Sequence, residues 1–441
     1  MHGVELPFWT VLPFAGLLLC IALLPLFAHA FWESHLNKGL VAALFGLPVA
    51  AYMVLSLGAF GVHELVEKAK EYVSFMLLLG SLFVISGGIY IRGSLSGTPL
   101  VNTGVLALGG LLASVIGTTG ASVLLIRPLL RANAPRQRKT HVIVFFIFVV
   151  SNCGGLLTPL GDPPLFLGFL KGVPFEWTLQ LWQEWLFVNG TLLGIFSLWD
   201  QFVFEREERE RPGSQLEAVM EHEPLRIEGR RNFLFLFGIV ATIAAAGSGV
   251  GTGGEPWPFG VQEALMAAIA GAAYLATAER LRAANAFGFA PIIEVAVLFA
   301  GIFVTMAPAL LLLNAHAESF GIRAPWQFFW ATGVLSSFLD NAPTYLTFAA
   351  TACGLADIPL EGRYLAQYLT LGREAAEILA AISCGAVFMG ANSYIGNGPN
   401  FMVKAIAEEN GVPMPSFFGY MAYSCAVLVP IFVVCTFLFF R

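Results

Sequence analysis

Charge is scarce in this chain of 441 residues: Asp, Glu, Lys and Arg make up 12% of it, against about one quarter of an ordinary soluble domain. With 57% of residues hydrophobic and a mean hydropathy of +0.76, too little polar surface exists to face water, which excludes a soluble globular domain. The sequence has no Cys-x-x-Cys pair. Its six cysteines, Cys20, Cys153, Cys353, Cys384, Cys425 and Cys435, are scattered, so neither a disulfide framework nor a zinc site is indicated. It has no Gly-x-x-x-x-Gly-Lys-Ser/Thr loop, which excludes that route to nucleotide hydrolysis within the chain. No constellation supports enzyme chemistry, and neither a resident cofactor nor a nucleic-acid partner is expected. No long low-complexity region occurs, and only one segment, 205–231, is strongly charged.

What the chain has is apolar runs. Stretches read as membrane spans, roughly 20 residues being needed for each, recur at 7–32, 39–57, 72–91, 141–160, 179–204, 232–246, 265–278, 290–313, 375–389 and 417–440. Two further pieces, 105–130 and 326–350, are interrupted midway by polar residues. The fold class that follows is an all-α polytopic membrane protein, multi-pass in the cell (inner) membrane, with the lipid bilayer as its partner. Residues 1–6 carry no Lys or Arg ahead of the first apolar run, so that run is expected to be a retained span and not a cleaved signal. If the basic segment 127–139 is cytoplasmic, alternating the spans puts most Lys and Arg on that side, as the positive-inside rule requires, and both ends of the chain outside.

Two carboxylates stand where a bilayer least tolerates them: Asp162 in Thr158-Pro-Leu-Gly-Asp-Pro-Pro164 and Asp340 in Ser336-Ser-Phe-Leu-Asp-Asn-Ala-Pro-Thr344. Because a charge at the membrane centre costs several kcal/mol, the default reading of each is an ion, proton or substrate site. Asp is also a favoured helix cap, and Asp162 precedes two prolines; depth in the membrane tips the balance toward function. The chain also repeats itself faintly. Ser114–Ser122 can be laid on Ser337–Tyr345, and each cuts an apolar segment into two arms too short to span, the pattern of a re-entrant hairpin. Gly155–Pro164 can be laid on Gly390–Pro399 with the same Gly-to-Gly interval, and each reads as a spanning helix unwound halfway. Paired interruptions in two halves are the best sequence pointer to a transporter site, and the odd number of spans between them implies opposite orientation, an inverted repeat. The expected divisions are 1–69, scaffold spans; 70–204, a first repeat; 205–231, a cytoplasmic linker; 232–284, intervening spans; and 285–441, a second repeat.

These motifs, with Ser151-Asn-Cys-Gly-Gly155 and Ile395-Gly-Asn-Gly-Pro-Asn400, resemble the ion transporter superfamily. Within it the likeness is to sodium/proton antiporters of the NhaD type and to citrate-transporter-like proteins, over most of the chain from about residue 73 onward. The resemblance implies two re-entrant hairpins and two unwound transmembrane helices around a central site, an elevator motion against a scaffold, and a homodimer. By position, Thr118 and Thr119 would form the first hairpin tip, and Asp340, Asn341 and Thr344 the second. Asn152, Thr158 and Asp162 would belong to the first unwound segment, and Asn392, Ser393, Asn397 and Asn400 to the second. Dicarboxylate carriers of the superfamily usually show Ser-Asn-Thr at the tips; here Gly117-Thr-Thr119 and Asp340-Asn-Ala342 stand instead.

Burial and like charge both favour the neutral form of a carboxylate, so protons and metal cations would compete for an acidic pair near the midplane. The main functional expectation is therefore exchange of Na⁺ or Li⁺ for H⁺, with Asp162 and Asp340 as the Na⁺ ligands and Na⁺ and H⁺ as the transported ions. The alternative is cation-coupled transport of citrate or another organic anion. A third, the membrane subunit of an arsenite pump, would need a separate ATPase.

Overall fold

In lipid, backbone polar groups have no water to turn to, and these apolar runs satisfy them within helices. The computed structural model describes residues 6–93, 95–220, 226–253, 255 and 257–441. Most of the start that bears on a leader, 1–5, which carries no Lys or Arg, and part of the linker, 221–225, lie outside the described residues. Seven helices among the described residues are long and apolar enough to cross a bilayer, and three shorter apolar helices accompany them. The protein is an all-α, multi-pass membrane protein. The strands among the described residues form a two-stranded antiparallel sheet of Tyr90–Arg92 with Arg226–Glu228, Ile91 opposite Ile227.

Helices Leu12–Phe27, His35–Gly87, Asn232–Gly247, Val261–Ala276 and Ala290–Ala315 pack against one another as a bundle. His35–Gly87 is continuous by hydrogen bonding yet contains a sharp break at Gly58, φ 56° and ψ −130°, which joins the separate runs 39–57 and 72–91. Only glycine takes that backbone readily. Before the break the helix turns Leu36, Leu40, Leu44, Leu47 and Leu55 outward, each more than half exposed, a lipid-facing stripe.

Most of the remaining helices form a second body that carries two hairpins and two broken helices. Its first hairpin is Pro99–Ile116 and Thr118–Ala132, reversed at Gly117 with φ 79°. The arms were expected to be too short to span; the first is 18 residues and long enough. What makes it turn back is the glycine at its tip and a clasp at its open end, where Asn102 and Asn133 exchange amide hydrogen bonds of 2.9 and 2.8 Å. The second hairpin is Pro325–Ser336 and Asn341–Leu355. The first broken helix is Thr140–Val149 resumed as Pro163–Leu170; the second is Arg373–Met389 resumed as Gly398–Glu409. Trp182–Glu210 and Phe417–Phe439 complete the body.

The hairpins open toward opposite ends of the molecule. At the first one's open end Arg131 donates to the Ile91 carbonyl at 2.7 Å, beside the linker strand. Ala290–Ala315 begins at that end, where Asn285 donates to the Gly87 and Ile89 carbonyls, both at 2.8 Å. That helix runs 26 residues, about 39 Å at 1.5 Å per residue. At its far end Asn314 donates to the Ala350 carbonyl of the second hairpin and to the Ile358 carbonyl just after it, both at 3.1 Å.

Candidate functional site

A helix broken in the middle of a protein leaves free amides where it resumes and free carbonyls where it stops. Four helices begin at the same point here. Thr118 opens the second arm of the first hairpin, Asn341 opens the second arm of the other, Asp162 precedes Pro163–Leu170, and Asn397 precedes Gly398–Glu409. These four side chains are joined. Asp162 accepts from the Thr118 hydroxyl at 2.9 Å and the Asn397 amide at 3.2 Å on one oxygen, and from the Asn341 amide on the other. All four residues are at most 3% exposed. Although Asp162 stands at a helix start, its side chain makes no capping bond; it is committed to these partners instead.

Local sequence explains how the breaks are held. Thr158 donates to the Ser114 carbonyl while accepting from the Leu160 amide at 3.1 Å. Ser393 donates to the Ser337 carbonyl at 2.5 Å while accepting from the Ile395 amide at 3.2 Å. Each hydroxyl thus ties an unwound segment to the neighbouring hairpin, and the two sit at matching places in the register read from the sequence. The same register pairs Thr118 with Asn341 and Asp162 with Asn397, so Asp162 gathers positions from both halves. Gly155 and Gly161 face each other across the first break so closely that a Cβ on Gly161 would strike the Gly155 carbonyl; on Gly396 a Cβ would come within 2.6 Å of the Gly390 oxygen.

The other expected residues divide by what they touch. Asn152 donates to Asn400 Oδ1 at 2.7 Å and to the Ile147 carbonyl at 2.8 Å, while Asn397 also reaches Asn152 Oδ1 at 3.2 Å. Asn400 satisfies the Gly390 and Ser393 carbonyls, both at 2.9 Å. Asn152 and Asn400 therefore brace the cluster from behind. Asn392 binds the Ser337 hydroxyl at 2.9 Å, away from Asp162. Thr344 bonds the Asp340 carbonyl one turn back at 2.9 Å. Thr119 is half-buried and lines a cavity with Thr118 and Asp162. Asp340 is half-buried and caps its helix, accepting from the Ala342 amide at 3.0 Å. It is not among the hydrogen-bond partners of Asp162.

Two features add to what side chains alone suggested. Asn341 Oδ1 is buried with no hydrogen-bond partner, next to the Asp162 carboxylate its own amide contacts. A free carbonyl oxygen beside a carboxylate is a donor set suited to a hard cation. The cavity, about 70 Å³, lies between the first hairpin tip, Asp162 and the bundle helices, with Phe75, Leu79, Phe83 and Ile292 among its apolar walls.

The model of the family described as “Putative citrate transport” matches residues 3–440. The chain belongs to that family. No curated protein matches it. Family membership places the citrate-transporter-like half of the resemblance on the whole chain, first spans included; the antiporter half rests on the quoted motifs alone. The residues that motif reading missed are Ser114 and Ser337, which receive the tying bonds, and Ser151, whose carbonyl accepts from Asn397 at 3.1 Å. All three lie within or beside the quoted motifs, and nothing local distinguishes them from packing serines.

Proposed function

We propose that this protein is a secondary active transporter of an organic anion of the citrate class, coupled to a cation held at Asp162, and that it works by alternating access. One observation carries the proposal: four helix N-termini meet at a single buried carboxylate. Each N-terminus is equivalent to about half a positive charge, about two in total. Such a convergence attracts a polycarboxylate in a site without Lys or Arg. Asp162 and Asp340 already offset that field, so an incoming polyanion needs cations to accompany it. Asp162 and the free Asn341 oxygen are the groups to bind one. The family match supports the same cargo class.

In this account the hairpin and broken-helix units form an inverted repeat, the body that carries them moves against the bundle in the cell membrane, and the bundle joins two copies as a homodimer. A second reading, Na⁺/H⁺ exchange, is favoured by the absence of any cationic side chain among the hydrogen-bond partners of Asp162.

Purified protein in proteoliposomes separates the two. Labelled citrate is offered with inward gradients of Na⁺, Mg²⁺ or H⁺ in turn, and lumenal pH is followed in parallel. The proposal expects citrate uptake that depends on one of these cations and falls at least tenfold in Asp162→Asn. Sodium-driven dissipation of a pH gradient without citrate uptake would establish exchange in its place.

A further inference from the structure

The bundle and the site-bearing body meet along a seam, and charge is buried in that seam at the end away from the linker. Lys171, which terminates the resumed half of the first broken helix, donates to Glu71 of bundle helix His35–Gly87. Lys68, one turn earlier on the same bundle helix, reaches the other Glu71 oxygen at 3.1 Å. The side chains of Lys68, Glu71 and Lys171 are 9%, 11% and 10% exposed, so water does little to screen them. Lys171 is held on a third side as well. Its ammonium lies 5.4 Å from the centre of the Tyr364 ring, and its carbonyl accepts from the Leu365 amide at 3.0 Å. Tyr364 and Leu365 start the short helix Tyr364–Leu369 that follows the second hairpin. One cluster thus joins the bundle to both re-entrant units. By contrast Arg136–Asp200 and Lys38–Glu294 each stay within one body.

The cavity lies on the other side of this cluster. Its walls include Phe75, Leu79 and Phe83, successive turns beyond Glu71 toward the linker end. They also include Pro291 and Ile292, in the first turn of the helix that starts at that end. Asp162 is therefore approached from the linker end while the ionic cluster closes the opposite one. We infer that Lys68, Glu71 and Lys171 form a latch that holds the seam shut at the far end in this conformation. Separating buried opposite charges is costly while the seam is dry, and much less so once water enters and solvates each partner. The pair resists partial opening yet permits full opening. This inference deepens the alternating-access reading, on which it rests, and does not depend on what the cargo is.

The test reads conformation and not transport. In full-length protein whose native cysteines are replaced, Thr119→Cys places a thiol in the cavity. After reconstitution, a bulky membrane-impermeant maleimide is applied to each face separately, with no substrate present. With the native latch, labelling is expected from the linker face and scarcely from the other. Lys171→Glu sets two carboxylates against each other and raises far-face labelling several-fold. The milder Glu71→Gln raises it less. Adding Glu71→Lys to Lys171→Glu restores the original charges in exchanged positions and returns far-face labelling toward the starting rate. Linker-face labelling in the same samples reports that the protein is folded. Far-face rates unmoved by both single substitutions, or a double variant as open as Lys171→Glu alone, would overturn the latch. Failure of the citrate assay with success here would remove the cargo and leave the latch.

Discussion

Asp162 is the residue through which two distant stretches of chain communicate: its partners stand 44, 179 and 235 positions away. A carboxylate in an apolar run is conspicuous in a sequence because of its burial cost. Its partners are not, since amides and hydroxyls at those separations are brought together only by the closed fold. Asp340 shows the limit of the same rule. It is equally conspicuous, yet its side chain serves the Ala342 amide. The glycines at the breaks carry a sharper prediction. Gly161→Ala puts a methyl group against the Gly155 backbone, and residue 161 cannot shift away without disturbing the Thr118 amide bonded to its carbonyl at 2.8 Å. Overpacking of this kind costs about 1–3 kcal/mol. Thermal unfolding in detergent should shift down, and citrate uptake should fall by more than the loss of folded protein explains. An unchanged uptake rate per folded molecule would show that the break is not part of the site.

The hairpins and broken helices were legible as interruptions, because polar residues, glycine and proline cut apolar runs at matching places in two halves. Thr158 and Ser393, paired in the registers read from Ser114–Ser122 and Gly155–Pro164, each donate to a hairpin carbonyl, of Ser114 and of Ser337. Arm length was not legible, since Pro99–Ile116 is apolar enough to pass for a span and turns back because of contacts at its ends. The clasp at those ends includes Asp200, which accepts from Asn102 at 3.0 Å and lies 2.8 Å from His141 Nε2 and 2.6 Å from Arg136. Asp200 sits within the apolar run 179–204, so the rule that singled out Asp162 applied to it as well. Asn102→Ala would leave Asp200 and Asn133 each short of a buried partner, at a cost of about 1–3 kcal/mol per group. We expect a lower unfolding temperature with the citrate affinity of the surviving folded protein little changed. A variant that keeps its stability would show that the glycine tip alone holds the hairpin.

At the scale of the whole molecule, composition sufficed for the membrane class, because too few polar residues exist to cover a soluble surface. The grouping of helices was harder to foresee. Helix 70–87 and helix 290–315, read as the openings of the two repeats, pack with the bundle formed by the spans at 12–57 and 232–276. Chain order does not reveal this, since residues 70–87 and 290–315 each adjoin a hairpin in sequence yet pack on the bundle side of the seam. The seam is also where the far-end charges are buried, so its opening should be sensitive to Lys171 and Glu71 well away from Asp162.

The central claim is that one buried carboxylate couples a cation to an organic anion. The most direct measurement is equilibrium binding of labelled citrate to the purified protein at fixed pH against rising Na⁺ or Mg²⁺. The account predicts that citrate binds more tightly as one of these cations rises, and that the dependence disappears in Asp162→Asn. Citrate affinity indifferent to both cations in the native protein, or a cation dependence that survives Asp162→Asn, would contradict it.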